Sequence, residues 1–435
     1  MRLAVVGGGW AGLAAAVRAA QAGALVTLFE MAPALGGRAR GVEIEGLALD
    51  NGQHILIGAY ARTLALMRTV GADPERLLAR SPLMLRYPDG RGLALPAGPA
   101  ALAFVRGVAA ARGWTLRDKA SLLRAAAGWV AAGFHCPPGW TVQRLCQGLA
   151  PSVRTLLIDP LCVAALNTPA QEASAQVLLR VLRDALFGGR GAADLLLPRG
   201  SLALLLPQPA QHWLQAAGAE LRLSSRVRAI EPGGAGPGRW QVDGAPFDAV
   251  VLACPASEAA RLAEPLAPAW AARARGLPYE PIVTVYLRCP GARLPVPMTA
   301  LADGPQAPAQ FAFDHGRLGA TPGVFAFVVS GARRWVDAGL DATAQAVLQQ
   351  AQAAFPAGTW PAAPTLLRTL AERRATFRCV PGLDRPPAEI APGLAAAGDY
   401  VTGPYPSTLE GAVRAGERAA ELSACSGSFR DAKWR

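Results

Sequence analysis

The sequence predicts an α/β fold: a doubly wound, Rossmann-like nucleotide-binding domain interrupted by a second domain of mixed sheet and helices. Three observations predict it. A strand, a glycine turn and a helix follow one another within the first twenty-odd residues, a strand near the other end closes in Gly398-Asp399, and two intervening stretches follow neither pattern. With 435 residues, 52% of them hydrophobic, and a mean hydropathy of +0.24, the chain can bury a large core and divides into two domains.

The first element is the β-rich run Leu3 to Val6, which ends in Gly7-Gly-Gly9-Trp10-Ala11-Gly12 before the helix-forming run Leu13 to Ala22. Gly7 permits a tight turn, Gly9 lets the backbone approach a pyrophosphate, and Gly12 lets helix and strand pack closely. Trp10 and Ala11 stand where a helix start offers free N–H groups and its positive dipole end to phosphate. Gly23 ends the helix, Ala24 to Phe29 forms the next strand, and Glu30 closes it as a carboxylate suited to ribose hydroxyls and hostile to a 2′-phosphate. A secretory signal is the competing reading of this start, and glycines at 7, 8, 9 and 12 argue against it. In Ala34-Leu-Gly36-Gly37-Arg38, two glycines bring backbone close and Arg38 offers a planar fork of donors to phosphate; an incidental surface loop is the alternative. From Gly7 through Arg38 the chain resembles the extended FAD fingerprint of the amine oxidase and phytoene desaturase superfamily, which implies FAD as cofactor.

Farther along, Leu221 to Ile230 alternates as a strand and Phe247 to Cys254 reads as a buried strand. Leu394 to Asp399 is a last strand, followed by a helix from about Ser407 or Thr408. Asp399 can accept hydrogen bonds from ribityl hydroxyls, and the helix start, with Thr408, Leu409 and Ala412, can stabilise negative charge on a reduced flavin; a simple helix cap is the alternative. The nucleotide domain is thus expected from residues 1–75, 195–265 and 386–435, and the substrate domain from 76–194 and 266–385, with a helical insert at about 99–190. In that insert Leu116, Ala120, Leu123, Ala127, Val130 and Phe134 form a helical stripe. We read the stripe as facing the core, with burial in a lipid headgroup layer as the alternative. The second stretch supplies strands at Ile282 to Arg288, Gln310 to Asp314 and Val324 to Ser330.

The net charge of +12 is spread singly over arginines, with only Lys119 and Lys433 as lysines, and no basic tract suits nucleic acid. Seven scattered cysteines without C-x-x-C point to a reducing compartment and to neither a thiol redox centre nor a metal site. A cytoplasmic protein is expected, with peripheral contact to the inner face of the cytoplasmic membrane as a further reading.

Beyond the superfamily, the chain resembles the hydroxysqualene dehydroxylases, the squalene-associated FAD-dependent desaturases of hopanoid-making bacteria. The resemblance runs nearly end to end and rests on Gly7 to Ala16, Leu49-Asp50-Asn-Gly52-Gln53-His54, Pro160 to Asn167, Asp194 to Pro207, Pro278 to Pro281 and Gly398 to Gly416. It implies a glutathione reductase/amine oxidase type of fold, a long apolar isoprenoid substrate and association with other squalene and hopanoid enzymes. It also implies backbone contacts from Val227 to adenine, although the bare sequence pattern favours ordinary sheet core there, and a place beside the flavin for Gly52 and Gln53. As proton donor we single out His54, with Asp50 as orienter or alternative and Tyr405 as a second candidate. Their structural roles would be a turn for the first pair and a tunnel wall for Tyr405. An oxidative carotenoid-type desaturase and a non-catalytic flavin-containing assembly partner remain competing readings. An amine oxidase is disfavoured, because neither lysine is well placed near a flavin.

Overall fold

A computed structural model describes residues 1–233 and 239–425. Lys433 lies outside the described residues. The nucleotide domain centres on a six-stranded sheet in the order Glu220–Arg222, Leu25–Phe29, Arg2–Val6, Ala249–Leu252, Leu394–Ala396 and Glu389–Ala391. All neighbours are parallel except the last pair. Side chains alternate across this sheet, so Leu3 and Val5 enter one core with the helix Trp10–Gln21, while Ala4 and Val6 enter the other. The helix begins at Trp10, three residues before the apolar run suggested, because Gly9 already accepts Leu13 N–H at 2.9 Å.

The run Leu221 to Ile230, expected as one strand, is two. It pairs in the sheet only over Glu220–Arg222, turns at Ser224, whose φ is 51°, and resumes at Ile230–Pro232 in a separate three-stranded meander. Left-handed backbone at Ser224 breaks the alternation that the side chains alone suggest.

The other sheet has five strands, in the order Met298–Ala300, Phe311–Asp314, Val324–Val329, Tyr279–Arg288 and Thr365–Phe377. Expected to be mixed, it is antiparallel throughout. Asn167 ties it to the helical insert. At the end of helix Asp159–Leu166 it adopts φ 47°, donates to Glu280 O at 3.2 Å and Thr376 Oγ1 at 3.0 Å, and accepts Gly331 N–H at 2.7 Å.

The predicted stripe of the insert faces outward. In the helix Leu116–Ala131 the fully buried side chain is Leu122, whereas Leu116 is 85% and Val130 48% exposed. Ser121 Oγ, accepting Ala150 N–H at 3.2 Å, shows which side packs inward. An alanine-rich helix offers two comparably apolar faces, and its neighbours decide between them. Phe134 alone of the stripe is buried, edge-on to Phe187 at 5.4 Å.

The C-terminal helix Leu409–Cys425 crosses the first helix so closely that a β-carbon on Gly416 would lie 2.1 Å from Ala11 O. Near its start, buried Glu410 accepts Arg62 N–H at 3.1 Å, Thr63 N–H at 2.9 Å, Thr63 Oγ1–H at 2.8 Å and Arg414 Nε–H at 2.8 Å. It therefore caps the helix Ala61–Thr69 from a distant segment. Replacing it, Glu410→Ala, orphans those donors and is expected to lower stability by about 3 kcal/mol. Arg414→Ala, which keeps three of the four bonds, should cost less, and urea unfolding midpoints compare the two.

Candidate FAD and active site

The glycine turn is built as its residues demand. Gly7 N–H donates to Phe29 O at 2.7 Å, and a β-carbon on Gly12 would sit 1.9 Å from Gly7 O, so helix and turn touch backbone to backbone. Gly36 N–H donates to Gly8 O at 2.8 Å, which lays the Gly36-Gly37 backbone beside Gly8-Gly9. Trp10 locks the same loop by donating Nε1–H to Ala39 O at 2.9 Å. Buried Glu30 accepts Gly8 N–H and Ala32 N–H, each at 2.7 Å, so its carboxylate is fixed at the sheet edge against the turn. Val227 is buried outside any strand, in the loop after the Ser224 turn, and its carbonyl accepts Arg261 at 2.9 Å.

Arg38 does not stand free. Its fork spans Asp399 Oδ1 at 2.6 Å and the carbonyls of Ala375 at 2.6 Å and Arg374 at 3.3 Å. Burial works against its charge, yet Asp399 holds its pKa above the ordinary value. The pair thus joins the two ends of the cofactor signature across 361 positions. Thr408 Oγ1 accepts Gly411 N–H at 3.1 Å and Ala412 N–H donates to Thr408 O at 3.0 Å, so Thr408 caps the C-terminal helix, with Leu409 following half-buried.

These residues fit FAD. A β-carbon on Gly9 would meet only Gly37 Cα, 3.8 Å away, so the paired glycine backbones leave an open cradle of pyrophosphate kind. Buried Tyr400 keeps its hydroxyl without a partner among the described residues, within electrostatic reach of Asp399 and Arg38.

The Asp50-to-His54 segment lies between Ser201-Leu202 and the antiparallel strand Tyr279–Arg288. Asp50 Oδ1 accepts Ser201 Oγ–H at 2.9 Å and Leu202 N–H at 2.8 Å, while Tyr286 donates its hydroxyl to Asp50 O at 2.9 Å. Burial pushes the Asp50 carboxyl up to about 6, against those two donors. Gly52 faces Thr284: a β-carbon there would lie 3.5 Å from Thr284 Oγ1. Gln53 shares with Asp50, Ser201 and His315 the lining of a cavity of about 10 Å³, the size of one water. His54 Nδ1 sits 2.8 Å from Gly52 O, a bond that in the neutral ring puts the proton on Nδ1 and leaves Nε2 bare. Burial lowers the His54 pKa, and Arg38 lowers it further. Tyr405 is already engaged: its hydroxyl donates to Asp184 Oδ2 at 2.9 Å and accepts from Arg180 at 3.0 Å.

Sequence reasoning missed Arg385. This guanidinium donates to the carbonyls of Asp399 at 2.6 Å, Tyr400 at 3.3 Å, Gly403 at 2.9 Å, Tyr405 at 2.8 Å and also Val401, and it stacks over Phe377 at 4.5 Å. It moulds the whole bend between the last strand and the C-terminal helix. The only local hint was a bend rich in glycine and proline that needs an anchor.

A profile of the family described as flavin containing amine oxidoreductase matches residues 10–422. The chain belongs to this family. Among relatives, a hydroxysqualene dehydroxylase from Rhodopseudomonas palustris is 30% identical, covering 97% of this chain and 98% of that protein. One of the same name from Sinorhizobium fredii is 28% identical, covering 96% and 97%. Among solved structures, an oxidoreductase from Methanosarcina mazei superposes with a TM-score of 0.74 at 16% identity, covering 97% of this chain and all of the other. This amine oxidoreductase is a flavin-dependent enzyme, and its cofactor is FAD.

The raised Asp50 carboxyl has a sign that stability measurements can read. Its folded value of about 6 lies above the ordinary 3.8, so the folded protein holds the extra proton between these values. Stability should fall as pH climbs through that window, by on the order of 3 kcal/mol. Asp50→Asn keeps the Oδ1 acceptor and removes the ionisation, so urea midpoints across pH 4 to 7 should flatten and the neutral-pH midpoint should rise.

Proposed function

We propose that this enzyme reductively dehydroxylates hydroxysqualene to squalene. The observation that carries the reading is the coverage of the dehydroxylase resemblance: it spans both chains almost completely, inserts included, so it extends to the part of the molecule that would receive substrate. FAD, once reduced, would supply the hydride. One C–O bond breaks, one C–H bond forms, and a proton must reach the departing oxygen so that water leaves. The hydroxyl is allylic, so bond cleavage can develop delocalised positive charge, and exclusion of water from the site would guard that charge against recapture.

The chain's residues divide these tasks. The glycine turn, Glu30 and Val227 would hold the adenosine diphosphate half, and Asp399 with the start of the C-terminal helix the flavin half. For the proton, Asp50 suits best: with Oδ1 taking both hydrogen bonds, Oδ2 can carry a proton up to about pH 6. His54, neutral with its proton on Nδ1, can accept at Nε2 but donates there only as a cation that burial and Arg38 disfavour. We assign it an orienting role. Tyr405, held by Arg180 and Asp184, fixes the approach to the C-terminal helix and is a positioning residue.

The test is anaerobic. Reduced enzyme mixed with hydroxysqualene should reoxidise and yield one squalene per flavin, followed by absorbance and mass spectrometry; reduced flavin that persists without squalene would overturn the reading. Asp50→Asn should keep the bound flavin spectrum and slow reoxidation by about a hundredfold or more. With Asp50 as acid, the wild-type rate should decline as pH rises above about 6. An unchanged rate in the variant would move the proton source elsewhere.

A further inference from the structure

The insert carries a surface that the reaction does not use. Helices Ala100–Ala110 and Leu116–Ala131, joined by residues 111–115, form a hairpin whose inner side buries Ala103, Gly107, Val108 and Leu122. Outward it shows Leu102 at 45%, Val105 at 48%, Leu116 at 85% and Val130 at 48% exposure. Phe187, at the end of the neighbouring helix Ala175–Phe187, is 52% exposed. Of nine exposed large apolar side chains among the described residues, these are five. Such clustering, unlike single exposed leucines, marks a contact surface.

The charges on the hairpin are predominantly positive. Residues 99–135 contain Arg106, Arg112, Arg117, Lys119 and Arg124 against a single carboxylate, Asp118. That carboxylate is consumed in a capping box with Thr115, at 2.9 and 3.2 Å. Lys119 bridges the two helices through Ala109 O at 2.6 Å. The four arginines are exposed and form no ion pair among the described residues, so the positive charge of this face is not offset by neighbouring carboxylates. A layer of exposed aliphatic side chains set among unpaired guanidinium groups matches the two layers of an anionic bilayer surface. Aliphatic groups enter the acyl boundary while arginine stems lie flat and carry their charges to phosphate.

We propose that the 100–131 hairpin, with Phe187, docks the enzyme on an anionic lipid bilayer. The contact is peripheral, since no helix among the described residues is long and apolar enough to cross a membrane.

The test uses the holoenzyme and vesicles of mixed phosphatidylglycerol and phosphatidylcholine, with pure phosphatidylcholine as control, in a co-sedimentation assay without isoprenoid. Its outcome is therefore separate from that of the proposed reaction. The wild type should pellet with the anionic vesicles and be released by salt. Leu116→Ser with Val130→Ser, and Arg117→Glu with Arg124→Glu, should each weaken binding at least about tenfold. Flavin absorbance and melting temperature should be unchanged in both. Wild-type protein left in the supernatant would overturn the proposal. So would variants that bind as tightly as wild type, or a sedimentation-velocity dimer that the serine variant dissociates, which would assign the face to a second copy.

Discussion

Much of this molecule depends on two places where backbone touches backbone because no β-carbon intervenes. At Gly12 the first helix rests against Gly7 O, and at Gly416 the last helix rests against Ala11 O. Sheet, first helix and last helix are thereby stacked with no slack, and the helix starts that would face phosphate and flavin inherit their positions from that stacking. Each contact removes the room a methyl group needs, so neither position tolerates another residue without separating layers that define the site.

Around this stack, polar side chains fasten segments far apart in the chain. Arg38 grips Asp399, Glu410 caps the helix Ala61–Thr69, Arg385 gathers the bend between Asp399 and Tyr405, and Asn167 joins the helical insert to the antiparallel sheet. These groups are buried or half-buried and nearly all their donors are matched, the condition under which polar interiors specify one arrangement. The proposed acid Asp50 and its neighbour His54 occupy what this framework leaves: an aspartate whose burial favours its proton, and a histidine whose burial favours its neutral form.

How far the site could be read beforehand followed the range of the interaction concerned. The glycine turn, Glu30 and the Gly36-Gly37 pair were legible because a tight turn or a close approach restricts residue type at one place, whereas the last strand, expected to run to Asp399, stops at Ala396 and leaves Gly398-Asp399 in the bend beyond it. Arg385 and Glu410 were not legible, since an arginine in a loop and a glutamate in a helix look ordinary until their distant partners are known. The outward stripe of Leu116 and Val130 misled for a related reason: helical period says that a face exists, and only packing says what it meets. Ser224 shows the local version, one left-handed residue dividing an alternation that otherwise suits a single strand. Tyr405 fell between these cases, correctly placed beside the last helix but already bonded to Asp184.

The contact between Gly416 and Ala11 also sets a clock for biosynthesis. The nucleotide turn leaves the ribosome some 400 positions before the helix that braces it, a delay on the order of 20–80 s at typical elongation rates. For the first part of that interval the strand Arg2–Val6 also lacks its neighbour Ala249–Leu252, and for nearly all of it Leu394–Ala396 is missing beyond that strand. A nascent chain therefore carries an incomplete nucleotide site for that interval, and the site closes only once the segments around Ala11 and Gly416 meet.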